Sequence, residues 1–368
     1  MLCLIFNIAP YYRSAIYKAI DDSYECDWYF GENPTDIKVM DTKCLKSCHI
    51  VPYKKAFGKF YRLVGTTRRI TDGRFTEYII VGELYNLSVW FILIRNRLFH
   101  HKRVFLWSHG YYGKENFMVR ILKRIFFGMA SGVLLYGNYA KNIMIKAGFN
   151  SNKLYVVHNS LDHNAQISLR NSLAHSDQFR QHFGNSNHTL IFIGRITKVK
   201  KIELLISAIA ELRKRGREYN LVVVGDGDDR SKVETIVEDL GLTKQVWFYG
   251  SCYDERINAQ LIYDADLCVS PGNVGLTAIH AMTFGTPVIS HDEFKYQMPE
   301  FEAIKPGKTG DFFKCANIVS LSNCIENWFS RSINREEVRT ACYSEIDNFW
   351  TPDFQLSVIK KALESLRP

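Results

Sequence analysis

No run of apolar residues in this chain is long enough to cross a bilayer. The longest, "LYNLSVWFILI" at 84–94, falls well short of the roughly 20 residues that a spanning helix needs. The opening stretch "MLCLIFNIAPYY" has neither the basic start nor the long apolar core of a secretory signal, and it reads as a first strand. Low-complexity tracts and short-period repeats are missing too. The nine cysteines are odd in number and scattered, and Cys44 and Cys48 have no second pair to complete a zinc site, so no metal is expected. Cys268, inside the apolar "ADLCVSP", reads as a small buried hydrophobe, and such usage suits a reducing cytoplasm. What remains is a soluble or membrane-peripheral globular protein.

With 368 residues, 46% of them hydrophobic and 23% charged, two domains are expected. The net charge of +9 is unevenly spread. Residues 1–184 hold 25 Lys or Arg against 13 Asp or Glu, or +12; the remaining 22 and 25 give −3 to residues 185–368. That asymmetry points to an anionic partner for the first half, a lipid surface or a nucleic acid, against the plainer reading of a solvated basic face.

Short apolar runs alternate with amphipathic stretches, the pattern of βα units and parallel sheets. "LCLIFNI", "YIIVGE", "RVFLWSH", "GVLLYG" and "KLYVVHN" read as strands of a first domain at 1–165. "TLIFIGR", "NLVVVGDG", "QVWFYGS", "DLCVSPG" and "PVISHD" read as strands of a second at 189–345. The polar segment 166–188 between them reads as a linker with a short helix, and the amphipathic tail 353–368 as a helix returning to the first domain. Two doubly wound α/β domains would face each other across a cleft, with ligands at the strand ends. "GDGDDR" (225–230) lacks the third glycine of a dinucleotide fingerprint and sets three aspartates where a pyrophosphate would lie, which argues against a dehydrogenase.

Two stretches could carry chemistry. In "IFIGRITKVKKIELL", a strand ends at Gly194, Arg195 follows, and Lys200 precedes a helix, so cations stand at a strand mouth where a diphosphate could bind. In "SPGNVGLTAIH", small residues precede a helix starting near Leu276, whose first amides and dipole suit a phosphate. Taken singly, each could be a solvated loop or a tight turn.

Together, in this order, they resemble the donor domain of the family-four retaining glycosyltransferases, the glycosyl transferases group 1 of GT-B fold. The resemblance runs over about 189–315. It takes in Arg195 with Lys200 five residues on, "LVVVGDG", "VWFYGS", "DADLCVSP", "GTPVIS", Pro299-Glu300 and the Gly307–Gly310 turn. It implies that Arg195 and Lys200 hold the diphosphate of a UDP-sugar or GDP-sugar and stabilise the leaving nucleotide. It further implies that Gly194 and the turn Gly272, Asn273, Val274, Gly275, Leu276 and Thr277 surround the donor, that Tyr249, Gly250 and Ser251 line the base pocket, and that neither metal nor cofactor is required.

This sequence departs from the family at two places. Where the family carries two acidic residues eight positions apart, it has Gly272 and His280. A neutral histidine can still hydrogen-bond a ribose diol, but a glycine cannot bond a sugar through a side chain, so Asn273 or the loop "HDEFKYQMPE" would have to serve.

In the first half, His109 ends a strand, where it could orient or deprotonate an acceptor hydroxyl or simply be structural. Tyr11, Tyr12 and Arg13 follow the first strand, as acceptor contacts or as packing. Lys and Arg interleave with Phe and Tyr at 53–70 and 116–129, which suits an anionic membrane; no nucleic-acid module accompanies them. The expectation is a cytoplasmic enzyme, peripheral on the inner face of the membrane, that transfers a sugar to a lipid-linked glycan of a surface polysaccharide such as lipopolysaccharide or capsule. The alternatives are an inactive nucleotide-sugar-binding partner and a nucleotide-sugar epimerase or hydrolase.

Overall fold

The computed structural model describes residues 1–32, 37–331 and 334–365. It divides into two units, Met1–Asp162 with Thr351–Pro368, and His163–Trp350.

The first unit is built on a seven-stranded sheet in which every pairing is parallel. Its central strand β1 (Leu2–Phe6) is flanked on one side by β2 (Cys26–Gly31) and β3 (Cys48–Val51). A small antiparallel hairpin, β4 (Tyr53–Lys55) with β5 (Tyr61–Leu63), interrupts the series. On the other side of β1 lie β6 (Glu77–Val81), β7 (Arg103–Ser108), β8 (Gly132–Leu135) and β9 (Leu154–Val156). All five residues of β1 are buried because helices cover both faces, and the strand's two-residue period sorts them. Leu2, Leu4 and Phe6 join one core with Tyr17 of α1 (Ser14–Ser23) and with Ile359 and Leu363 of the C-terminal helix Pro352–Glu364. Cys3 and Ile5 join the other, with Ile92 of α2 (Leu87–Arg95) and Phe126 of α3 (Phe117–Gly128).

The C-terminal helix starts where the Thr351 hydroxyl accepts the Phe354 amide at 3.1 Å, and it is tied down by Gln355, whose amide donates to the His158 carbonyl at 2.9 Å. Positions 366–368 of the helix expected at 353–368 lie outside the described residues. The strand β2 was not anticipated. It carries Asp27, buried at 4% exposure, which breaks the apolar run that marks an interior strand.

The second unit begins in the segment expected to be a linker, and this corrects that reading. Residues 163–183 form α5 (His163–Arg170) and α6 (Gln178–Phe183), after a fourth helix in the first unit, α4 (Asn138–Lys146). Polar anchors hold them. Arg170 makes a two-pronged pair with Asp347 at 3.0 and 2.9 Å, and Asp264 accepts from the Ser176 hydroxyl and the Gln178 amide, both at 2.6 Å. Hydropathy does not register such anchors, so the segment reads as loose.

Beyond it lies a six-stranded parallel sheet. In chain order its strands are β10 (Thr189–Ile193), β11 (Asn220–Val224), β12 (Val246–Gly250), β13 (Leu267–Ser270), β14 (Val288–His291) and β15 (Gly310–Phe313). They lie in the order β12-β11-β10-β13-β14-β15, so the winding reverses between β10 and β13. In such a sheet ligands sit beyond the carboxyl ends of the strands at the reversal. Gly194 and the 270–276 turn occupy that position.

Candidate functional site

The site is built from the loops after β10 and β13. Gly194 leaves β10 with its amide bonded to the Val224 carbonyl at 3.0 Å, and the chain then crosses β11 closely: a Cβ on Gly225 would fall 2.0 Å from the Gly194 oxygen. A turn from Thr197 to Lys200 closes through a 2.8 Å amide bond, and α7 (Ile202–Lys214) follows. Its apolar positions Ile202, Leu205, Ile206, Ile209 and Leu212 are buried at helical spacing, which anchors the loop.

Arg195 is exposed, and among the described residues no carboxylate pairs with its guanidinium. Lys200 is more enclosed. Its ammonium donates to the Asn273 carbonyl at 2.6 Å, which joins the β10 loop to the β13 turn. Burial pushes the Lys200 pKa below the ordinary lysine value; the Glu300 carboxylate pulls it up, and the Arg195 charge adds to the depression.

The β13 turn is held from below by Gln297, a residue of the loop singled out for sugar contacts. The Gln297 side-chain oxygen accepts the Val274 amide at 2.9 Å. Its nitrogen donates to the Ser290 hydroxyl at 2.8 Å and the His291 carbonyl at 3.0 Å. The Val274 amide is thus committed inside the protein. Thr277 bonds the Ile193 carbonyl at 3.2 Å and opens a helix of only seven residues, Thr277–Thr283, so the dipole behind Gly275 and Leu276 is short.

His280, on that short helix, pairs with Glu255 at 3.0 Å. Glu255 also accepts from Gln166 at 3.0 Å. Burial pushes the Glu255 carboxyl up, but these two hydrogen bonds outweigh it and the pKa ends below the ordinary value. Sequence reasoning missed Glu255, which lies at the start of another helix, Glu255–Asp264. It sets a carboxylate next to the position where the family's second acid is replaced. Tyr249 and Gly250 close β12 half-buried and Ser251 is exposed; the Tyr249 ring packs 5.2 Å from that of Trp247.

In the first unit the expected acceptor residues collect in one place. Tyr12, Arg13 and His109 line a cavity of about 520 Å³. Tyr11 does not line it; it is 56% exposed, with Lys38 over its ring at 4.4 Å. The His109 ring stacks on Tyr112 and tilts against Tyr136. Burial, then Arg13 and Lys123, push its pKa down to about 4. At neutral pH it is an uncharged imidazole and a weak base, suited to orienting a hydroxyl rather than deprotonating it.

Among the described residues no group of three or more metal-ligating side chains gathers, and no helix is long and apolar enough to cross a membrane. All nine cysteines are free thiols.

Two doubly wound parallel-sheet units, the second with cations where its winding reverses, fit a GT-B fold. Residues 175–344, most of the second unit, match the family described as glycosyl transferases group 1. Alpha-D-kanosaminyltransferase of Streptomyces kanamyceticus is 31% identical over 119 residues, 31% of this chain and 31% of its own. The chain thus matches about a third of the length of this curated relative. Among solved structures, the lipopolysaccharide outer core galactosyltransferase WaaB in its apo form superposes with a TM-score of 0.72 over 99% of both chains at 16% identity. HepE of Anabaena, in complex with UDP, gives 0.72 over 100% of both chains at 17% identity.

Proposed function

We propose that this chain is a retaining, metal-independent glycosyltransferase that moves a sugar from a nucleoside diphosphate to a hydroxyl of a lipid-linked glycan in surface polysaccharide synthesis. The observation that carries the reading is the cationic mouth of β10: an exposed Arg195, with no carboxylate partner among the described residues, beside an enclosed Lys200 held on the Asn273 carbonyl. Fixed cations in a partly desolvated site stabilise a departing diphosphate without reorganising. In the reaction the bond from the anomeric carbon to the diphosphate oxygen breaks. The acceptor oxygen bonds that carbon on the same face, and the acceptor's proton leaves with the nucleotide.

A lipid-borne acceptor is favoured by the first unit's surface. Between Leu84 and Leu161 a single acidic residue, Glu115, stands among eleven Lys and Arg. Phe91, Ile94, Leu98 and Phe99, in and just beyond α2, are exposed, as are Phe117, Met118, Ile121, Leu122 and Ile125 of α3. Apolar side chains among cations suit the inner face of an anionic membrane.

The test is thermal stabilisation by UDP and GDP beside Lys200→Ala, followed by transfer assays with the matching nucleotide sugars. One nucleotide should raise the wild-type Tm and leave the variant unmoved. No stabilisation at millimolar nucleotide would overturn the donor site. Stabilisation without turnover on any acceptor would favour an inactive nucleotide-sugar-binding partner.

A further inference from the structure

The cavity of the first unit holds a positive charge that no carboxylate among the described residues compensates. Arg13 stands among aromatic rings, its guanidinium 5.5 Å from the Tyr12 and Trp107 ring centres and 5.1 Å from that of Tyr136. It donates to the Tyr136 hydroxyl and interacts with the buried Tyr17 hydroxyl, while its Nε makes no well-aligned hydrogen bond. Among the described residues no carboxylate pairs with it.

Among the described residues two carboxylates line the cavity, and each is engaged elsewhere. Glu83 accepts from the Asn7 amide at 3.2 Å and from the Tyr61 hydroxyl. Glu115 accepts from Lys123 at 2.7 Å and from the Tyr112 and Gly113 amides at 2.7 and 2.9 Å. Lys123 is therefore neutralised where it stands, and among the described residues no carboxylate does the same for Arg13.

Two further polar atoms of the lining are buried and unmatched: the indole nitrogen of Trp107 and Nδ1 of His109. Arginine Nε–H and indole N–H can only donate, and a neutral imidazole donates from one nitrogen. Two unfilled donors on the lining, one of them on a guanidinium, ask for an acceptor that carries negative charge. Arginine's planar fork fits a carboxylate or a phosphate in two-pronged geometry.

We infer that this cavity binds an oxyanion of the acceptor, a phosphate or a carboxylate, with Arg13 as the recognising cation. The inference rests on the transferase reading for the word acceptor, but not for the binding itself. The enzyme would then prefer an acidic acceptor, either a phosphorylated sugar or a uronic acid.

The test is calorimetric titration of the full chain with glucose 1-phosphate, glucuronate and glucose in saturating UDP. At least one anion should bind tenfold or more tightly than glucose, and the tighter of the two names the group. Arg13→Gln should abolish that preference and Arg13→Lys should retain part of it. Lys200→Ala, which disables the other cationic site and is compared with the wild type in the absence of UDP, should leave it intact. Equal binding of all three ligands, or a preference that follows Lys200 rather than Arg13, overturns the inference. Should the Arg13 variants fail to fold, phenylglyoxal labelling of the wild type read by mass spectrometry decides: the binding anion should protect Arg13, and no protection refutes the site. Failure of UDP to bind would count against the transferase reading alone.

Discussion

A Cβ built on Gly272 would lie 2.1 Å from the Val199 carbonyl oxygen and 2.7 Å from the Lys200 Cα. The position where the family carries an acid is filled here by the backbone of the cationic loop. The glycine is therefore a requirement of packing and not simply a side chain deleted from an active site. Restoring the family's acid should injure the protein: Gly272→Glu should lower the Tm and reduce transfer by at least about 100-fold, since it displaces Lys200 from the leaving group. Gly272→Ala should already cost about 1–3 kcal/mol, the usual price of overpacking. A Gly272→Glu chain with unchanged Tm and faster transfer would show that the loop yields freely.

Lys200 sets function against stability. Because its pKa in the fold lies below the ordinary lysine value, the charged form is less at ease there than in the unfolded chain. That penalty is present at every pH below the folded pKa and disappears as pH rises past the unfolded value of about 10.4. Lys200→Met removes the buried charge and keeps the stem, so at pH 7 its Tm should exceed that of the wild type while nucleotide binding is lost. A variant that melts lower without nucleotide would mean that the bond to Asn273 outweighs the burial cost.

The strands of the second sheet were legible because both their faces are buried, so Leu221, Val222, Val223 and Val224 form an unbroken apolar run. The cationic loop was legible because Gly194, Arg195 and Lys200 are close in sequence. What was hidden depends on distant partners. Val199 blocks Gly272 from a loop far upstream, Glu255 reaches His280 from another helix, and Gln297 satisfies the Val274 amide from a third element. That residues 163–183 belong to the second unit escaped for a similar reason, since polar side chains rather than an apolar stripe anchor them.

His109 makes the first unit sensitive to acid. Its pKa falls from about 6.5 in the unfolded chain to about 4 in the fold, chiefly by burial and then through Arg13 and Lys123. A depressed histidine contributes stability that is complete above the unfolded value and is lost as pH falls through the folded one. Between roughly pH 6.5 and about 4 the wild type should therefore lose stability faster than His109→Asn. Melting curves across this range check it. The rate profile of transfer should show no histidine limb near pH 6.5; such a limb, abolished in His109→Asn, would mean that the imidazole titrates in the open.

The exposed faces of α2 and α3 yield the last prediction. Phe99 is 71% exposed and Phe117 74%, so replacing either with serine removes little packing and should shift stability by no more than about 0.5 kcal/mol. On anionic vesicles the outcome differs, because each ring and each nearby cation adds to adsorption. A Lys or Arg near such a surface contributes about 1 kcal/mol, so Arg95→Gln with Arg97→Gln should weaken binding roughly 30-fold at low salt, with the loss shrinking as salt screens the surface. Phe99→Ser with Phe117→Ser should weaken it at every salt concentration, since apolar insertion is not screened. Co-sedimentation with phosphatidylglycerol vesicles, with phosphatidylcholine as the neutral control, separates the two contributions. If the wild type binds both vesicles equally, or if neither pair of substitutions changes its partition, these helices do not face a membrane and the acceptor must arrive from solution.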